Sequence, residues 1–312
     1  MTLGSPAVDG IPDSIGGFGW PGKADGRLVQ HPLYRSVNLN NNCIFWCPPT
    51  KDIPPHVHEL AEMVWRRRDS PAHSPDDKHA DWLLELENNA EAPEVEDYFK
   101  TAIFPKPELT SALQRTDRQP MAGHTIPTEQ RDAPPLAIPV PSMLYGYSRD
   151  QAFGAEAHQW FDRKNNSMVA NERGLIFPFL SVQFAGERDS LWAATNTCMV
   201  ASAACARLAE RFNSELHAGV AALPSVTHIV MPPDPAFSIA MSGTEARLYL
   251  TWVEDVWPDS AYYVWKMDEF LLQKSADYAR FRQSVLNIIE WGETERLELL
   301  KNGLDVLSFA PE

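Results

Sequence analysis

A chain of 312 residues with a formal charge of −15 repels a phosphate backbone at long range, so nucleic acid is a disfavoured partner. No stretch reaches the ~18 uninterrupted apolar residues of a membrane helix, and Met1 to Gly10 lacks the layout of a secretory signal; the expected setting is intracellular, cytoplasmic or nuclear, with no membrane. Apolar residues at 44% and charged residues at 22% are ordinary for a globular protein, whereas 26 prolines and 10 tryptophans exceed average usage and imply long irregular stretches.

Residues 1–55 are rich in Gly, Pro and Asn without a sustained period, and read as an irregular arm that wraps the body or stays loose, anchored by the apolar patch Cys43 to Cys47. One domain is expected over 56–312. A helix is predicted from His56 to Arg68, with Val57, Leu60, Ala61 and Val64 on one face, and a second over Ala80 to Asn89. The run Arg66 to Arg68 reads as a solvated helix end rather than a phosphate clamp. Residues 106–141 turn polar and proline-rich, as a mobile linker or a lid would. Strands are predicted at Val140 to Tyr147 and, from a nearly continuous apolar run, at Leu175 to Phe184. Leu191 to Phe212, rich in Ala, predicts a long helix packed closely on that sheet. Short strands follow at Val226 to Met231, Phe237 to Met241, Arg247 to Val253 and Tyr262 to Phe270; helices over Ala276 to Trp291 and Thr294 to Leu300, before Gly303, close the chain. The pattern is α/β or α+β, a central mixed sheet flanked by helices. The four cysteines, Cys43, Cys47, Cys198 and Cys205, are too few for a disulfide scaffold and read as mostly buried thiols.

The segments PVPSMLYGYS (Pro139 to Ser148), LIFPFLSVQFAGERDSLWAATNTCMVASAAC (Leu175 to Cys205), LYLTWVEDVW (Leu248 to Trp257) and SVLNIIEWGETERL (Ser284 to Leu297), with RRRDSP (Arg66 to Pro71), resemble a family of fungal PD-(D/E)XK nuclease-like proteins. The resemblance spans roughly residues 55 to 305 and implies a restriction-endonuclease-like core. In active members an Asp on one strand and a Glu two residues before a Lys on the next strand converge. Carboxylates suit Mg²⁺, and the metal with a nearby ammonium activates water and stabilises charge on phosphate. This chain departs at each place. Ser142 stands at the Asp position, Gln183 at the Glu and Ala185 at the Lys, and Thr197 stands where the following helix often carries Gln. Neutral groups bind Mg²⁺ poorly, and such groups act as a unit, so losing even one costs orders of magnitude in rate.

The resemblance therefore implies a catalytically degenerate protein that binds through a vestigial cleft, with no cofactor and no metal. Tyr145, Tyr147, Phe153, Trp192 and Asn196 are expected near that cleft, whose neutral lining would suit a small apolar molecule or a protein partner. One alternative is a repurposed metal-independent cyclase or isomerase acting on an apolar metabolite of fungal secondary metabolism. Another is residual nuclease activity with Mg²⁺ on a relocated set such as Asp150, Glu187 and Asp189. The imidazoles of His56 and His58 stand two residues apart and share no helix face, and with His73 and His79 nearby they read as a polar helix start rather than a metal site.

Overall fold

A computed structural model describes residues 28–68, 77–88, 90–128, 133–187, 189–223, 229–256 and 259–309. In chain order the elements are β1 (Ile44–Trp46), α1 (Pro55–Trp65), α2 (Asp77–Glu87), α3 (Ala92–Ala102), β2 (Leu113–Asp117), β3 (Met143–Ser148), α4 (Arg149–Ala152), α5 (Ala155–Arg163), β4 (Leu175–Phe184), α6 (Leu191–Ala221), β5 (Ala236–Met241), β6 (Glu245–Val256), β7 (Asp259–Leu271), α7 (Ser275–Trp291) and α8 (Leu297–Phe309). The strands form one seven-stranded sheet in the order β1-β7-β6-β5-β4-β3-β2. The pairs are antiparallel except β4 with β5, which α6 connects as a crossover, and β1 with β7. The mixed α/β layout expected from the sequence is present.

The sheet's two faces are built differently. Towards α6 it presents mostly small or polar residues: Ser181 and Gln183 of β4 stand beside Ser238 and Ala240 of β5, and Thr251 follows on β6. The Ala-rich helix seats against this face, with Ser202 Oγ 2.7 Å from Thr251 Oγ1 and Cys198 Sγ donating to Ile239 O. Small side chains on both partners let a 31-residue helix lie close to the strands. The helix runs nine residues past its predicted end at Phe212. The opposite face carries bulk: Phe184 meets Phe99 and Phe104, and Phe237 meets Trp291.

Several expectations are corrected. The described part of the arm, from residue 28, is integral rather than irregular: it has a 3-10 turn at Leu28–Gln30 and a π-helical turn at Tyr34–Leu39. Within the predicted anchor patch, Ile44 to Trp46 form β1 and pair with Tyr262 to Val264 of β7. Residues 1–27 lie outside the described residues. Helix α3 and strand β2 occupy stretches where no element was expected, and β2 lies inside the segment read as linker or lid, paired from Leu113 to Asp117 with β3. Of the predicted strand Val226 to Met231, 226–228 lie outside the described residues and 229–231 is not strand.

The last predicted helix is also redrawn. A π-helical turn at Gly292–Arg296 joins α7 to α8, and Gly303 lies inside α8 instead of ending a helix. It is buried against α6, where an added Cβ would stand 3.0 Å from the Phe212 ring and from Leu216. At Gly292 an added Cβ would meet the Phe179 ring at 2.1 Å, so glycine is required for that approach. Beside it Arg296 is 1% exposed, with its guanidinium 5.4 to 5.9 Å from the rings of Tyr147, Phe179 and Trp291 and donating to Phe177 O.

Candidate functional site

Strand β4 ends where α6 begins, and the two termini flank a cavity. Ser142 stands one residue before β3, whose first residue, Met143, pairs with Val182. The register therefore sets Ser142 beside the end of β4, and its Oγ accepts the Phe184 N–H at 3.2 Å. Gln183, Ala185 and Thr197 line a cavity of about 280 Å³ together with Ser190, Ala193 and Val200 of the helix start and Ile138 to Val140 of the strand approach. Residues from two adjacent strands and the next helix thus meet at one place.

The cavity has an outer wall. Val29 and Gln30 line it, and residues 137–140 face it from the segment that precedes β3. Tyr34 Oη accepts the Ala137 N–H at 3.2 Å, Asn38 Nδ2 donates to Pro135 O and Asn42 Nδ2 to Pro134 O, both at 2.8 Å. Asn38 and Asn42 are fully buried, so their amides are committed to these carbonyls. The N-terminal segment therefore clamps 134–137 in place. Within 106–141, residues 137–140 line the cavity, 113–117 form an edge strand, Gly123–Thr125 form a 3-10 turn and 129–132 lie outside the described residues.

Among the described residues the lining is neutral apart from Asp189 and contains no Lys, Arg or His. Asp189 Oδ2 accepts the Gly186 N–H at 2.8 Å and so is used in the turn that leads into α6. Gln183 Oε1 is buried without a hydrogen-bond partner among the described residues. Ile138 and Val140 remain exposed apolar groups on the rim.

The aromatic residues expected at the cleft lie elsewhere. Tyr145 and Tyr147 are fully buried in the core, with hydroxyls donating to Pro105 O and Gly292 O, and burial pushes the Tyr145 phenol up to about 12. Phe153 packs on Tyr147, Phe161 and Phe177. A strand alternates its faces, but a sheet covered on both sides buries both, so aromatic content alone could not assign these rings to a cleft. Trp192 and Asn196 sit on the first turns of α6 but turn to the N-terminal segment: Asn196 bonds Arg35 and Val29 O. Sequence reasoning missed Tyr34, Asn38 and Asn42, whose partners lie about a hundred residues away and leave no local signal.

The relocated acidic set does not assemble. Asp150 follows Ser148, which pairs with Leu175 at the start of β4, while Glu187 and Asp189 follow its far end; ten residues at ~3.3 Å separate them by roughly 30 Å. Glu187 donates its backbone N–H to Ala90 O in the turn. His56 approaches Asp234 at 3.9 Å and His58 approaches Glu62 at 3.5 Å, so these imidazoles do not converge; His73 lies outside the described residues. Arg68 pairs with Glu290 at 2.5 Å and bonds Asn287, whereas Arg66 and Arg67 are exposed. The cysteines are free thiols: Cys47, Cys198 and Cys205 are buried and Cys43 half-buried. Burial raises the Cys205 thiol to about 12 and Cys198 further, so neither is a nucleophile at neutral pH.

A family model described as a domain of unknown function (DUF7924) matches residues 80–304. No curated protein and no solved structure matches the chain.

Proposed function

The chain belongs to the DUF7924 family, and on that premise we propose that it is a catalytically silent protein of PD-(D/E)XK nuclease-like fold that acts by binding. Its ligand is a small apolar molecule or an apolar side chain of a protein partner, held in the cavity at the end of β4. The observation that carries this reading is convergence: Gln183, Ala185 and Thr197 line one cavity and Ser142 hydrogen-bonds beside it, as the positions of a hydrolytic centre would. Each has lost the group that chemistry needs. A lining with one carboxylate and, among the described residues, no cation would repel a phosphodiester, whereas Val29, Ile138, Val140 and Val200 offer apolar surface.

The shape favours binding over a repurposed cyclase or isomerase. A cyclisation chamber must exclude water and fold its substrate against closed walls, but this cavity is open and Phe184 is the one aromatic among its described lining residues. An exposed apolar rim, with Val140 46% exposed, fits a docking partner better. An intracellular setting, cytoplasmic or nuclear, belongs to the proposal and accords with four free thiols; so does the lack of a cofactor.

The test pairs two measurements on the purified chain. Calorimetry with Mg²⁺ and Mn²⁺, alongside plasmid and single-strand cleavage, is expected to give neither binding nor hydrolysis; cleavage that disappears in Glu187→Ala would overturn the reading. A neutral apolar fluorophore such as Nile red is expected to bind saturably to the native chain and to lose that binding when Ala193→Trp fills the cavity. Binding unchanged by Ala193→Trp would place the apolar site elsewhere and sink the proposal.

A further inference from the structure

Arg35 is fixed on three sides. Its guanidinium lies between the indoles of Trp46 and Trp192, 5.2 and 5.0 Å from the ring centroids. Its Nε donates to Asn196 Oδ1 at 2.6 Å, and the fully buried Asn196 is oriented in turn by its own bond to Val29 O at 2.8 Å. Stacking and one edge hydrogen bond remove most of the side chain's rotational freedom and leave its outer fork of N–H donors in a set direction.

No carboxylate among the described residues pairs with this cation, and neither Nη donates a hydrogen bond within them. The charged side chain that acts on it is Arg247 of β6, itself held by Glu245 at 2.8 Å. Burial first, and then the like charge of Arg247, hold the Arg35 guanidinium below its ordinary value, while the Tyr249 phenol acts the other way. Among the described residues, this half-buried cation is left without a compensating carboxylate, although the chain carries a charge of −15. Desolvating an unpaired charge costs free energy that an anion returning to the site would recover.

We propose that Arg35, framed by Trp46, Trp192 and Asn196, is a binding site for a small oxyanion, the carboxylate or phosphate group of a small-molecule ligand. The planar fork of Arg35 donates to two oxygens of such a group side by side, and the indoles cover the faces of the guanidinium. Trp192 opens α6, whose N-terminal turn adds a favourable dipole for an anion. The site adjoins the cavity without sharing its lining side chains: Asn196 bonds Val29 O, and Val29 lines the cavity, whereas Arg35, Trp46 and Trp192 do not.

The experiment titrates the whole chain with sodium phosphate and, separately, with sodium acetate at constant ionic strength, following the indole N–H resonances of Trp46 and Trp192. Saturating shifts confined to these two resonances are expected with at least one probe; which probe saturates decides between phosphate and carboxylate. Arg35→Gln is expected to raise the dissociation constant at least tenfold. Because that change also removes an anchor of the N-terminal segment, two further variants decide the matter. Arg35→Lys keeps the charge without the fork, Arg247→Gln leaves the Asn196 bond intact, and each is expected to weaken binding several-fold. Shifts that never saturate with either probe, or affinities unchanged in both of these variants, overturn the proposal.

Discussion

Asp234 is a carboxyl for which burial outweighs its neighbour. Desolvation pushes it up to about 6, although His56 lies 3.9 Å away and pulls the other way. The folded state therefore keeps a proton that the unfolded chain releases near its ordinary value of 3.8. Stability from this group is fully present below that value and is lost as pH rises through about 6. Asp234→Asn is expected to raise stability by on the order of 1–2 kcal/mol at pH 7, a figure reduced for partial exposure, and to change nothing below about pH 4; urea midpoints at the two pH values check it. Such residues were illegible in the sequence because charge reads as surface. Glu96 is 1% exposed because Arg118 and Lys100 reach its two oxygens, at 2.6 and 2.5 Å. Arg296 is buried against a carbonyl 119 residues earlier. Periodicity reports which face of an element is apolar, not which distant partner will satisfy a charge.

Long, strongly patterned elements were legible for the same reason that short edge elements were not. The face of α1 expected from Val57, Leu60, Ala61 and Val64 is its buried face, and β4 occupies Leu175 to Phe184 as its apolar run indicated. Strand β2 reads Leu-Gln-Arg-Thr-Asp, because an edge strand covered on one side by few neighbours needs little apolar alternation. Helix α3 did carry a signal, a capping box in which Glu91 N–H donates to the Glu94 side chain at 2.8 Å, with Pro93 in the first turn. The α6-facing side of β5 offers a direct test of close packing. Ser238 is fully buried and its hydroxyl finds no partner among the described residues. Ser238→Ala is expected to be neutral or to stabilise by up to about 1 kcal/mol, whereas Ser238→Leu should cost about 1–3 kcal/mol by overpacking, both read from denaturant melts. At the clamp, Tyr34→Phe leaves the Ala137 N–H without its acceptor; a loss of about 1–2 kcal/mol and faster hydrogen exchange at Ala137 are expected.

Across the whole molecule, the candidate site joins parts of the chain with very different legibility. At the end of β4 and the start of α6, Gln183, Ala185 and Thr197, singled out by their motif positions, line one cavity. Its outer wall comes from the N-terminal segment, whose Gly, Pro and Asn content left open whether it wraps the body or stays loose; its buried asparagines use their amides on a distant loop. The family match begins at residue 80, after β1, α1 and that wall. A fragment cut to the matched residues 80–304 would therefore expose the backbone of β7 that now bonds Ile44 to Trp46, together with the Tyr262 side of a thirteen-residue strand. Open strand edges recruit one another. Such a fragment is expected to elute as concentration-dependent oligomers in gel filtration where the whole chain does not. The N-terminal strand would then serve as an internal cap that keeps neighbouring copies from joining their sheets.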